Sequence, residues 1–235
     1  MNQEFTEDFF SLDVDLRGAD TAAAAPKKRR KYTRRPHDAY PTFPAVAKAI
    51  VRRVAMFCPT PRGILEPTAG EGAFVDACRE TFPAAKIGAV DIDAAMKEKC
   101  IDAGANAFLN RDILAVDGAQ IAKFDLIIGN LPFADSAKIL LHLMGAAKDE
   151  ALGAILLPVS FFGWTVGSPK FPTPRDAAFW KVCRIVYFAP IAPRPSFTND
   201  GRTDRMEYGM FLFQRGWRGD PVLGDAIVWE KRLRG

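Results

Sequence analysis

The sequence has little of what many enzymes use for acid–base and metal chemistry. Its 235 residues include two histidines, His37 and His142, and four cysteines, Cys58, Cys78, Cys100 and Cys183. The cysteines lie 20, 22 and 83 positions apart, so there is no Cys-x-x-Cys pair. That argues against a zinc site or a disulfide framework and fits a reducing cytoplasm. His142 stands in the apolar run Ile139-Leu140-Leu141-His142-Leu143-Met144, where a histidine serves helix packing. No metal is expected, and any chemistry must rest on glycine, asparagine, carboxylates and backbone. No apolar run approaches the roughly 18–20 residues of a membrane span. The start, Met1-Asn2-Gln3-Glu4-Phe5, lacks the basic opening of a secretory signal.

What is present is ordinary globular material: 49% hydrophobic and 26% charged residues, enough for one large domain with a sizeable core. The net charge of +4 is unevenly spread. Residues 1–20 carry six acids and one base, a net −5, and Lys27–Arg35 carries +7. The expectation is a tail over 1–36, acidic and then basic and disordered in isolation, before a domain over 37–235. The basic run suits the phosphates of a nucleic acid; the plainer alternative is a solvated linker.

From about Tyr40 the pattern is regular. Val46, Ile50, Val54 and Phe57 recur at helical spacing behind Pro44. Strands are expected at Gly63–Glu66, Lys86–Asp91, Ala107–Leu109, Phe124–Ile128, Gly153–Pro158, Arg184–Phe188 and Met210–Phe213. Helices are expected at Phe74–Phe82, Ala94–Ala103 and Asp135–Ala147, the last capped by Asp135 or Ser136. This alternation predicts an α/β fold with a mostly parallel sheet, whose ligands bind beyond the carboxyl ends of the strands.

Four strand ends carry distinctive residues. The first is followed by Glu66-Pro67-Thr68-Ala69-Gly70-Glu71-Gly72, whose glycines admit a ligand close to the backbone. This loop is neither G-x-G-x-x-G nor a P-loop. The second strand ends in Val90-Asp91-Ile92-Asp93, with an acid about 20 residues past the glycines, where ribose hydroxyls can be bound. The third gives Asn110-Arg111-Asp112-Ile113 and the fourth Gly129-Asn130-Leu131-Pro132-Phe133. A surface-exposed Leu-Pro-Phe directly after a buried strand is hard to explain by folding alone. Asn130 offers an amide oxygen, Pro132 fixes the backbone, and Phe133 offers a flat face, a set that suits a planar base with an exocyclic amine.

In these residues the chain resembles class I S-adenosylmethionine-dependent methyltransferases of the amino-methylating kind. Those enzymes carry E-P-x-x-G-x-G, an acid, an Asp and N/D/S-P-P-Y/F at four successive strand ends. The segment Tyr40-Pro41-Thr42-Phe43-Pro44 is similar to the Y-x-T-P that precedes the loop in adenine-N6 DNA methyltransferases of the γ order, including small phage-type enzymes. Arg194-Pro195-Ser196-Phe197 and Glu207–Phe213 resemble their final motif.

The resemblance implies a Rossmann-like class I methyltransferase fold: a mostly parallel seven-stranded sheet with an antiparallel last strand and helices on both faces. It implies S-adenosylmethionine as cofactor and DNA as partner. Glu66 and the backbone of Thr68, Ala69, Gly70 and Gly72 would border the methionine part of the cofactor, and Thr42 its carboxylate. Asp91 would take the ribose and Asp112 the adenine amine, with Ile92 and Ile113 beside them. Asn130 and the Leu131 carbonyl would accept the target amine's hydrogens, and Pro132 would hold the turn. Phe133, with Phe197, would stack the base.

The tetrad here has Leu131 where the usual residue is Pro. Asn-Leu-Pro-Tyr/Phe is also typical of ribosomal RNA adenine dimethylases, so RNA stands as an alternative to DNA; a non-catalytic module of the same fold is the other. Methyl transfer to an aromatic amine needs a polar site that stabilises charge developing on nitrogen, and a target base flipped out of any duplex. Recognition falls to two short loops, 163–177 and 193–207, carrying Lys170, Arg175, Arg194, Arg202 and Arg205. Their size predicts low sequence specificity. A DNA-modifying enzyme of this kind would work in the cytoplasm, at the nucleoid.

Overall fold

The computed structural model describes residues 41–161, 179–195 and 206–229. The tail, all of the expected recognition loop 163–177 and most of 193–207, and with them Lys170, Arg175, Phe197, Arg202 and Arg205, lie outside the described residues.

Strands β1 (Gly63–Glu66), β2 (Lys86–Asp91), β3 (Ala107–Asn110), β4 (Leu126–Asn130), β5 (Leu152–Pro158), β6 (Arg184–Ala192) and β7 (Tyr208–Gln214) form one sheet in the order β3-β2-β1-β4-β5-β7-β6. All neighbours are parallel except β7, which runs antiparallel to both β5 and β6. This is the expected Rossmann-like α/β architecture. It carries two additions: the two-residue strands β8 (Val222–Leu223) and β9 (Ile227–Val228), each parallel to β6. The seven expected strands are present, the last of them antiparallel as expected, and β8 and β9 bring the sheet to nine. β8 and β9 cover part of the open side of β6, which would otherwise leave unpaired N–H and C=O groups.

β4 and β5 read as unbroken apolar runs because both of their faces are covered. Consecutive residues go to opposite cores. Ile64 and Ile128 pack with α1 (Pro44–Val54) and α2 (Ala73–Thr81) through Val46, Ile50, Phe74 and Cys78. Leu65 and Ile127 pack on the other face with α4 (Gly118–Ile121) and α5 (Ser136–Ala146) through Ile121, Leu140 and Leu143. The period-two alternation of a pleated strand makes this division. His142 belongs to the second layer, where its Nε2–H donates to the Val116 carbonyl at 3.1 Å.

Three expectations shift. β4 starts two residues late because Asp125 is used otherwise: its Oδ2 accepts the Arg62 and Gly63 N–H groups, both at 2.8 Å. The helix expected over Ala94–Ala103 is a 3₁₀ turn, Ala94–Met96, followed by α3 (Lys97–Asp102). The single-turn α4 and a 3₁₀ turn at Ile113–Ala115 were not foreseen, although Asp117 and Asp112 cap them through the Ala119 and Leu114 N–H groups. One turn carries too little periodicity to be read.

Candidate functional site

Strand order reverses between β1 and β4, and the crevice at their carboxyl ends is where α/β sheets bind ligands. A cavity of about 300 Å³ lies there. Its lining includes Thr42, Glu66, Thr68, Ala69, Gly70, Gly72 and Asn130. The structure therefore gathers residues that lie up to 88 positions apart in the chain. It adds Pro41, Pro44, Glu71, Ala73, Asp76 and Ala103, which the sequence reading did not select. The last two come from α2 and from the turn after α3, whose positions depend on tertiary packing.

The glycine loop is held from several sides. Gly70 N–H donates to Asp91 Oδ2 at 2.7 Å, and the Cys100 thiol donates to the Gly70 carbonyl at 3.4 Å. Ala69 N–H donates to the Val90 carbonyl at 2.9 Å, and Lys99 pairs with Glu71 at 2.7 Å. Gly70 and Gly72 both have positive φ, +50° and +80°. A Cβ on Gly70 would point into open space, whereas one on Gly72 would meet Ala103 Cβ at 3.1 Å and Cys100 Cα at 3.3 Å. Gly70 thus leaves room on the cavity side, and Gly72 lets α3 approach α2.

Both carboxylate oxygens of Asp91 accept a backbone N–H, since its Oδ1 also accepts Asp93 N–H at 2.8 Å. Each carboxylate oxygen keeps a second lone-pair direction. Asp91, Ile92, Asp112 and Ile113 do not line the cavity itself. Ile92 is exposed beside Asp91 and Asp112 caps its 3₁₀ turn, while the Ile113 side chain is committed to the core.

Glu66 is 3% exposed, and its Oε2 has no hydrogen-bond partner. Burial pushes its pKa well above the usual carboxylate value. The nearby Asp91 charge adds to this, against N–H bonds from Val75 and Phe74 at the start of α2. A buried acid with a spare oxygen on a cavity wall is suited to a cationic group.

Asn130 ends β4. Its Nδ2–H donates to Thr42 Oγ1 and its carbonyl accepts the Thr68 hydroxyl, both at 3.2 Å. Leu131 and Phe133, expected at the surface from the sequence, are buried, and Pro132 between them is half-buried. Leu131 is 1% exposed within the α5-side core, and Phe133 is 8% exposed with its ring 5.7 Å from Tyr208. The turn folds inward because α5 starts directly after it. Asp135 N–H donates to the Pro132 carbonyl at 3.1 Å, and the buried Ser136 hydroxyl donates to the Phe133 carbonyl at 3.1 Å. Arg194, expected to meet substrate, is paired with Glu207.

Among the described residues no group of three or more His, Cys, Asp or Glu is placed to hold a metal ion, and no helix is long and apolar enough to cross a membrane.

No family profile matches the chain. The type II methyltransferase M.CvrRI of Paramecium bursaria Chlorella virus XZ-6E is 40% identical over 73 residues, 31% of this chain and 19% of that protein. The modification methylase CviBIII of Paramecium bursaria Chlorella virus NC1A is 38% identical over 73 residues, 30% and 19%. The matched segment spans about a fifth of the length of these curated relatives. Among solved structures, one described as a modification subunit of a type I restriction enzyme of Vibrio vulnificus YJ016 aligns with TM-score 0.59 at 13% identity. It covers 80% of this chain and 47% of that one. An S-adenosylmethionine-dependent methyltransferase of Clostridium acetobutylicum ATCC 824 aligns with TM-score 0.50 at 12% identity, covering 74% and 92%. At such identities the likeness is one of fold, and the α/β fold of this chain is the Rossmann-like fold of those methyltransferases.

Proposed function

We propose that this chain is an S-adenosylmethionine-dependent methyltransferase acting on the exocyclic N6 amine of adenine in DNA. The observation that carries the reading is Asn130 at the switch point, bound to Thr42 and Thr68 on the rim of the glycine-loop cavity. The names of the two viral relatives, a type II methyltransferase and a modification methylase, support DNA as the substrate.

The residues lining the cavity, with Asp91 behind its glycine loop, fit this cofactor. Glu66, with its unpartnered buried oxygen, suits the amino group, Thr42 the carboxylate, and Asp91 behind Gly70 the ribose hydroxyls. When bound, S-adenosylmethionine supplies an electrophilic methyl group on a sulfonium. Asn130 and the Leu131 carbonyl accept the two N–H bonds of the target amine and stabilise the positive charge that grows on its nitrogen. They also hold the amine in line for transfer. No side chain has to act as a strong base, which accords with a site built without histidine or cysteine nucleophiles. The target base is flipped out to reach Asn130. Phe133 has little of its face exposed, so stacking on it requires the ring to turn out from Tyr208; Phe197 is its proposed partner. Leu131 is a core side chain, so its difference from Pro is one of packing, and RNA stays the alternative substrate that the test below separates from DNA. Recognition by short loops gives low sequence specificity, and the enzyme works on DNA in the cytoplasm, at the nucleoid.

The test is methyl transfer from labelled cofactor to unmethylated DNA and to RNA, with the products resolved as nucleosides. The expected result is label in N6-methyladenine of DNA. Asn130→Ala should lower the rate by about 10²–10³-fold, as loss of one oxyanion-type partner does, with cofactor affinity kept within a few-fold. Label in RNA alone, or in cytosine, overturns the substrate. Failure to bind cofactor in calorimetry leaves the non-catalytic module.

A further inference from the structure

Phe43 breaks a local rule. It occupies the N-cap of α1, where Ser, Thr, Asp or Asn would normally bond the exposed N–H groups. Its carbonyl accepts the Val46 and Ala47 N–H groups, both at 3.0 Å, but its side chain caps nothing. The residue is 39% exposed. Behind it Trp229 lies 6.1 Å away, centroid to centroid, and is itself buried, with its indole N–H donating to the Pro193 carbonyl at 2.6 Å. An exposed ring is thus backed by an anchored one. Among the described residues the other phenylalanine exposed beyond a third is Phe57, which follows the opposite end of α1 and packs on Tyr187.

Its position gives Phe43 a use. Its chain neighbours Thr42 and Pro44 both line the candidate site, and Thr42 Oγ1 touches Asn130. Trp229 follows β9, which runs parallel to the carboxyl end of β6, so the aromatic pair lies at the same end of the sheet as Asn130. Contact with Trp229 needs only an apolar side chain, and a helix start prefers a polar one. A flat, exposed ring is more than the first need asks for and does not meet the second. It does meet the need of a planar, unpaired base.

We propose that Phe43 is a stacking platform for a base of the DNA strand next to the target adenine, seated when the target is drawn out of the duplex. The proposal rests on the nucleic-acid reading above. Flipping one base exposes the faces of its neighbours, and an aromatic ring one residue from the contact to Asn130 can cover one of them. Because every base has a π-face, such stacking adds affinity without reading sequence, which fits an enzyme with short recognition loops.

The test is binding of a short mixed-sequence single-stranded DNA, and of RNA of the same sequence, to wild type, Phe43→Leu and Phe43→Trp. Phe43→Leu keeps an apolar contact to Trp229 and loses the flat face. It should weaken DNA binding by about tenfold, the scale of one base–aromatic stack. Phe43→Trp should bind as wild type does, and both variants should keep wild-type cofactor affinity and melting temperature. DNA affinity unchanged in Phe43→Leu, or equally reduced in both variants, overturns the platform. RNA bound in preference to DNA overturns the choice of strand. Wild type that binds no nucleic acid overturns the proposed function as well, whereas normal wild-type binding with an unaffected Leu variant overturns the platform alone.

Discussion

Asp91→Asn separates a loop clasp from a passive acid. In the wild type one carboxylate oxygen accepts Gly70 N–H at 2.7 Å and the other accepts Asp93 N–H at 2.8 Å. Asparagine has one accepting oxygen, so its NH₂ must face one of the two amides. A hydrogen bond to a charged acceptor contributes about 1.5–3 kcal/mol, and for a partly exposed group the lower part of that range applies, about 2 kcal/mol. A domain of this size shifts by about 2–4 °C per kcal/mol, so the melting temperature should fall by about 4–8 °C. The pH dependence is diagnostic. The Asp91 charge helps to hold the Glu66 pKa up, after burial. Removing it lowers the cost of ionised Glu66, so the destabilisation should shrink as pH rises through the Glu66 titration. Thermal melts across pH, without cofactor, read both effects. An unchanged melting temperature, or a loss that grows with pH, would refute the clasp.

Gly70→Ala and Gly72→Ala should part company. Gly72→Ala forces a Cβ against Ala103 and the α3 backbone at positive φ and should cost about 1–3 kcal/mol in melts. Gly70→Ala finds open space and should cost about 1 kcal/mol, but its methyl faces the cavity and should weaken cofactor binding by calorimetry. Glu66→Gln should stabilise the cofactor-free protein at high pH and not at low pH. A folded pKa raised by burial means stability present below the unfolded value and lost as pH rises through the folded one. Melts with and without cofactor check this, and cofactor affinity should fall. Deleting Lys27–Arg35 should flatten the salt dependence of DNA binding by about 0.9 per lost phosphate contact on a log–log plot.

Several bounds were legible because local chemistry ends the elements. Gly63–Glu66 and Lys86–Asp91 are short buried runs stopped by an acid at the strand end, and both match the observed strands. The Glu66–Gly72 loop and Asn130 could be picked out because strand ends in an α/β sheet converge on one crevice, although Asp91 and Asp112, at neighbouring strand ends, lie outside the cavity lining. The start of β4 could not be read, since Phe124 and Asp125 look like strand residues until Asp125 is seen to bond the amides before β1.

Sequence by itself determined the fold class and the mostly parallel sheet, and it pointed to the Glu66–Gly72 loop and Asn130, because each follows from periodicity and from residue types at strand ends. Only the tertiary structure decided how those residues are used. Asp91 and Cys100 hold the two sides of Gly70, Leu131 and Phe133 turn into the core, Arg194 is taken by Glu207, and Phe43 stands on Trp229. The contacts of Asp91, Cys100, Arg194 and Phe43 join residues 13 to 186 positions apart. A pattern of period two or 3.6 reports which face a side chain takes within its own element, and says nothing of what the rest of the chain brings to meet it.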